Sequence, residues 1–255
     1  MSYFEIISSY QLSTLEWIAS LIAIFILGVG KAGLKGLGVI IVVTLAFVFG
    51  EKASTGILLP MLVAADIMAV IYYKRHVRWN IVFKLLPWMI IGVLVGTWVG
   101  NDIPEFVFKK MMAVIIILVI GLMLFFEKKK MTVVPTNKIF AGSMGFLAGF
   151  TTMIGNLAGP ISNIYFLAIR FPKNEFIGTA AWLYFIVNVF KLPFHYFVWE
   201  TITPETLALN SILIPILMLG FFVGVKLVKK ISNTNYRKFI LIVTAIGGLI
   251  LLFRQ

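Results

Sequence analysis

Asp66 is an acid in the middle of an apolar run, Leu59-Pro60-Met61-Leu62-Val63-Ala64-Ala65-Asp66-Ile67-Met68-Ala69-Val70. A charged carboxylate at the centre of a bilayer costs roughly 2.5–3.5 kcal/mol or more, so such residues line a pathway or relay protons. The structural alternative is a pair with a lysine or a backbone group of another helix. Asn188 occupies the matching place 122 residues later (188 − 66), followed by Lys191 and His195. Those spacings put Asn188, Lys191 and His195 on one helical face. Together they are suited to holding an oxyanion or coupling it to a proton. Against this, Lys191 and His195 lie close enough to a segment end to snorkel to the interface. His195 is read as interfacial, and Lys191 is left open between the two. Asp66 and Lys191 could also neutralise each other.

Two glycine-rich clusters are the other candidates. The first is Gly28, Gly30, Gly33, Gly36 and Gly38, with Lys31 and Lys35 inside it. The second is Gly149, Thr151, Thr152, Gly155, Asn156, Gly159 and Pro160, with Asn163 just after. A helix broken inside a membrane frees N–H groups that need partners in protein or a wet cavity. N–H groups free at a helix start suit an anion. The alternative is that small residues merely let helices pack closely, with Lys31 and Lys35 as loop charges. Thr151, Thr152, Asn156 and Asn163 favour a site, since close packing does not require them. No strand precedes either cluster, so neither is a nucleotide-binding loop.

No Gly-x-Ser-x-Gly or His-Glu-x-x-His motif is present, and there are 2 histidines and no cysteine. No catalytic residue, metal ligand or cofactor is therefore expected, and cysteine-based chemistry is excluded.

The elements that must position these residues are membrane segments. The chain is 61% hydrophobic with a mean hydropathy of +1.03, well beyond the 45–50% of soluble domains. Apolar segments run at about 15–30, 37–50, 53–73, 81–100 and 108–126, then 138–154, 157–170, 176–198, 207–228 and 236–253. The first two of each five are short and broken by glycine, so they either span with tilt or re-enter. No cleavable leader is expected, because residues 1–14 carry no lysine or arginine. The net charge of +12 gathers in segment-edge loops (Lys74–Arg78, Lys128–Lys130, Lys226–Lys238). That is the positive-inside pattern, not a nucleic-acid surface. It places those loops in the cytoplasm and both termini outside.

The chain is duplicated. Leu85-x-Pro87-x4-Gly92-x3-Gly96 returns as Leu213-x-Pro215-x4-Gly220-x3-Gly224, an offset of 128. Gly33 matches Gly155 and Gly56 matches Gly178 at an offset of 122. The loop after the third segment is basic in the first half, but in the second it carries Glu200 and Glu205 without lysine or arginine. The halves are therefore expected to be inserted upside down, the inverted repeat on which alternating access commonly rests.

These features resemble the TauE/SafE-type sulfite exporters, also called toluene sulfonate uptake permeases. The resemblance covers nearly the whole chain and rests on its size, its two halves, Gly28 to Gly38, Asp66 and the two proline–glycine elements. It implies transport of sulfur-containing anions such as sulfite, organosulfonates or sulfoacetate across an inner membrane, driven by protons.

The expectation is thus an all-α polytopic membrane protein of 255 residues, a single transmembrane domain with inverted repeats at 15–126 and 138–253 and about 8–10 membrane segments. Gly33, Gly36, Gly38, Thr151, Thr152, Gly155, Asn156, Gly159, Asn163, Asn188 and Lys191 would bind the anion, and Asp66 would carry the coupling proton. The expected partners are the anion, the proton and membrane lipid, with a homodimer as an option and no nucleic acid. The competing readings are a permease for another organic anion, an anion channel of the same hairpins, and an accessory or enzymatic membrane subunit.

Overall fold

A computed structural model describes residues 10–128, 138–169, 171–232 and 235–236, and those residues form helices without a strand. They are α1 (Thr14–Lys31), α2 (Gly38–Phe49), α3 (Glu51–Tyr73), α4 (Trp79–Gly100), α5 (Glu105–Lys128), α6 (Lys138–Gly155), α7 (Ala158–Ala168), α8 (Lys173–Phe197) and α9 (Pro204–Lys229). A single 3-10 turn, Lys74–His76, joins α3 to α4. The tenth apolar segment, 236–253, lies outside the described residues apart from Tyr236.

Among the described residues, five helices (α1, α3, α4, α8 and α9) are long and apolar enough to cross a membrane. Of these, α3 and α8 are the most buried, and they carry Asp66 and Asn188. The flanks expose Trp98, Leu15 and Phe83 to the surroundings, a surface that belongs against lipid.

The short segments form hairpins. Tyr10, just before α1, meets Phe49 at the end of α2, with ring centroids 5.8 Å apart. Phe140 near the start of α6 stacks on Tyr165 near the end of α7 at 5.9 Å. Each pair therefore returns to the side from which it came. At 1.5 Å per residue, α2 and α7 rise only roughly 18 and 17 Å, too little to cross a hydrocarbon core of about 30 Å. α1 opens with a capping box of Ser13 and Glu16, and α9 with one of Thr203 and Thr206. Neither α2 nor α7 has a side-chain cap.

The most extensive interhelical contacts are α4 with α6 and α9 with α1. Both crossings are backbone against backbone. A Cβ added at Gly92 would lie 2.2 Å from the Phe146 carbonyl oxygen, and one at Gly220 would lie 2.1 Å from that of Phe25. From the other side, a Cβ at Gly149 would meet the Met89 carbonyl at 2.0 Å, and one at Gly28 the Leu217 carbonyl at 2.2 Å. Gly92 and Gly220, like Met89 and Leu217, are 128 residues apart; Phe25 and Phe146, like Gly28 and Gly149, are 121 apart. The offset of 122 read from the break glycines is thus one residue shorter within α1 and α6. The Pro87 and Pro215 motifs mark these crossings.

These contacts predict that Gly92→Ala, Gly149→Ala and Gly220→Ala each lower the melting temperature and the monodisperse yield in detergent. Gly121→Ala meets nothing within 4 Å and should leave both unchanged.

Candidate functional site

The site grows from two helix faces and two chain breaks. On α8, Tyr184, Asn188, Lys191 and His195 recur at spacings of four, three and four, and all are buried. α3 brings Asp66, fully buried, against that face. The Asn188 amide donates from Nδ2 to Asp66 Oδ2 at 2.7 Å. Lys31, the last residue of α1, donates from Nζ to Asp66 Oδ1 at 2.6 Å and forms an ion pair with it. The counter-ion of Asp66 is thus Lys31, not Lys191.

Between α1 and α2 the chain leaves the helix at Ala32. Gly33 and Gly36 take φ of +130° and +105°, a region that side chains other than glycine's rarely enter. The carbonyls this frees are satisfied: the Tyr73 hydroxyl donates to Ala32 O at 2.9 Å, and the Tyr236 hydroxyl donates to Gly33 O. The second break turns at Asn156, whose φ is +56°. Its Nδ2 donates to Thr55 O at 3.2 Å. The Thr151 hydroxyl lies 2.8 Å from Leu147 O and 3.2 Å from Leu157 O, so it serves the backbone of the break.

Lys191 is fully buried and does not snorkel. Its Nζ donates to Thr152 O and Asn156 Oδ1, each at 2.6 Å, with Thr152 Oγ1 at 3.3 Å. It is therefore a positioning group that holds the second break. His195, read as interfacial, is also fully buried. The chain after α8 folds back over it: Nδ1 lies 2.9 Å from Thr201 Oγ1, and the ring packs edge-on against the buried Trp199 at 5.0 Å.

The two breaks meet around a cavity of about 90 Å³, several times the space one water needs. Of the expected residues, Gly36, Gly38, Thr152, Asn156, Gly159, Asn163 and Asn188 line it; Gly33, Thr151, Gly155, Lys191 and Asp66 do not. Lys31, Lys35 and Tyr184 also line it. Tyr184 was not anticipated, although it lies one turn before Asn188 on the same face. Its hydroxyl pairs closely with Ser162 Oγ, and Lys31 and Lys35 approach its ring, with Nζ 5.2 and 5.5 Å from the centroid.

Four features suit this cavity to an anion. α2 and α7 both start on it without side-chain caps, so first-turn N–H groups lack intrahelical partners there. A Cβ at Gly38 or Gly159 would meet nothing within 4 Å, so both glycines face open space. Lys35 is 7% exposed and, among the described residues, has no carboxylate partner. Asn163 is buried, and its Oδ1 has no hydrogen-bond partner. A buried lysine keeps its charge readily only when a counter-charge reaches it, and otherwise tends to give up its proton. Among the described residues no group of histidine, cysteine and carboxylates could hold a metal ion.

A family model described as Sulfite exporter TauE/SafE matches residues 19–251. No curated protein and no solved structure matches the chain. The Lys31–Asp66 pair predicts a stability cycle. Lys31→Met and Asp66→Asn should each destabilise the protein, Lys31→Met by about 3–5 kcal/mol, because a single substitution strands or unbalances a buried partner. The double variant should recover most of that loss in thermal unfolding, and equal or additive losses would exclude a coupled pair.

Proposed function

The chain belongs to the sulfite exporter TauE/SafE family, whose members are membrane transporters and not enzymes, and from that premise we propose that it is a carrier for small sulfur-containing anions of the sulfite, organosulfonate or sulfoacetate class. The observation that carries this reading is Lys35, a buried lysine without a carboxylate, in a cavity where two uncapped helices begin. A sulfur oxyanion presents several acceptor oxygens. The ammonium of Lys35, the first-turn N–H groups of α2 and α7 and the amides of Asn156 and Asn163 are donors for them. An amide's O and N are interchangeable by a flip, so the unpartnered end of Asn163 can present its NH2 to an oxyanion.

Asp66 is the proposed proton carrier. It contacts the cavity only through Lys31 and Asn188, which hold its two oxygens. Alternating access is the proposed mode of movement, with residues 15–126 and 138–253 as inverted repeats. Support comes from the opposite charge of the loops after α3 and α8 and from the matched crossings, in which α4 of one half packs on α6 of the other while α9 packs on α1. The location is the inner membrane, with the basic loops in the cytoplasm and the N-terminus outside.

Flux of sulfite and sulfoacetate in proteoliposomes, with and without an imposed pH gradient, tests the proposal. The wild type should move at least one of them, faster with the gradient. Gly38→Ala and Gly159→Ala should unfold normally yet lower flux about tenfold or more, since a hydrogen bond to a charged group is worth about 1.5–3 kcal/mol. Lys35→Met should do the same. No flux of either anion by folded, inserted protein would overturn the assignment, and flux far above carrier turnover without counterflow would mark a channel.

A further inference from the structure

We propose that Lys31 is the coupling switch of this carrier: the substrate anion and Asp66 compete for its ammonium, so that each anion bound obliges Asp66 to take up a proton. The proposal rests on the carrier reading above and concerns how its site works.

Lys31 is the cation placed to do this. It lines the cavity and is ion-paired with Asp66 at 2.6 Å. Asp66 is fully buried and does not line the cavity, so an anion reaches it only through its partners. Lys31 ends α1, immediately before the glycine-rich break, so its backbone is not locked on its C-terminal side by a further helical turn. Its ammonium and that of Lys35 share the Tyr184 ring. Two like charges held that close repel each other, and an anion between them converts the repulsion into attraction for both.

No other group can replace Lys31 once it turns to the anion. The titratable side chains that face Asp66 are Lys31 from α1, Lys35 from the break, and Lys191 and Tyr184 from α8. Lys191 is committed to Thr152 and Asn156, Tyr184 to Ser162, and Lys35, which shares the cavity with Lys31, is engaged by the same anion. The buried Ile41 and Leu45 of α2, Met112 and Ile115 of α5 and Phe221 and Val225 of α9 are apolar, and the buried polar residues near the start of α9, Thr206 and Asn210, are not titratable. A carboxylate left there with only the Asn188 amide carries the full cost of an unpaired buried charge, and a proton removes that cost.

The charge count closes. Counted with both lysines charged, the site without substrate holds two cations and Asp66 as an anion. With a monovalent anion it holds the same two cations, the bound anion and a neutral Asp66. Anion and proton therefore enter together with no change in the net charge of the site. By linkage the converse holds: a proton on Asp66 releases Lys31 and raises anion affinity by the same factor.

Calorimetric titration of the full chain in lipid nanodiscs with methanesulfonate, in buffers of different ionisation enthalpy, tests this. Methanesulfonate stays ionised throughout, so any proton counted is taken up by the protein. The wild type should take up about one proton per anion bound, and Lys31→Arg should preserve that uptake. Lys31→Gln and Asp66→Asn should bind the anion with none. Where a single variant fails to fold, the Lys31→Gln/Asp66→Asn double variant replaces it and should also bind without uptake. Binding to the wild type without a proton, or uptake that persists in Asp66→Asn or in the double variant, would overturn the switch and leave the carrier intact. Absence of binding by the folded wild type would instead bring down the carrier reading, and the switch with it.

Discussion

Where α4 crosses α6 and α9 crosses α1, only hydrogen can stand between Gly92 and the Phe146 carbonyl, or between Gly220 and that of Phe25. Interfaces of this kind suit a membrane, where burying apolar surface gives no net drive and helices associate through close packing instead. The consequence reaches the site. Both crossings lie on helices that lead into a break, so the depth at which α1 and α6 stop is fixed by the partner helix. The breaks then meet at one cavity.

Irregular backbone inside a membrane survives only where protein or water satisfies it. The two breaks meet that demand differently. The first hands its carbonyls to hydroxyls from outside the hairpin, Tyr73 and Tyr236. The second relies on the hydroxyl of its own Thr151, which reaches Leu157 O, and on Lys191 of the neighbouring α8, which donates to Thr152 O. In both, the carbonyl side is satisfied by protein while the N–H side at the starts of α2 and α7 is left towards the cavity.

Much of this was legible in the sequence because it depends on local composition. The segment limits, the breaks and the doubled proline–glycine elements follow from apolar runs and small residues, and for the first nine segments the structure places helices at nearly the same limits. Asp66 and Asn188, matched by an offset alone, touch each other. The pairing of charges was not legible. Lys31 lies 35 residues from Asp66 in the chain, and nothing in a linear pattern distinguishes a lysine at the end of a span from one folded into the site. His195 looked interfacial because it is close to a helix end. The sequence does not reveal that Trp199 and Thr201 fold back to cover it. Tyr184 passed unremarked because aromatics are common in such helices, although its register with Asn188 and Lys191 marked it.

The surplus of lysines over carboxylates around the cavity has a consequence apart from coupling. Among the described residues, Lys31 and Lys35 at the cavity stand against Asp66 alone, so the fixed charge of the site favours a mobile counter-ion whatever its identity. On the carrier reading, in a medium full of chloride and phosphate, the site would work as an ion exchanger. Affinity for a substrate becomes a ratio measured against the background anion, and selectivity resides in how well the amide and helix-end donors match the geometry of the incoming oxygens.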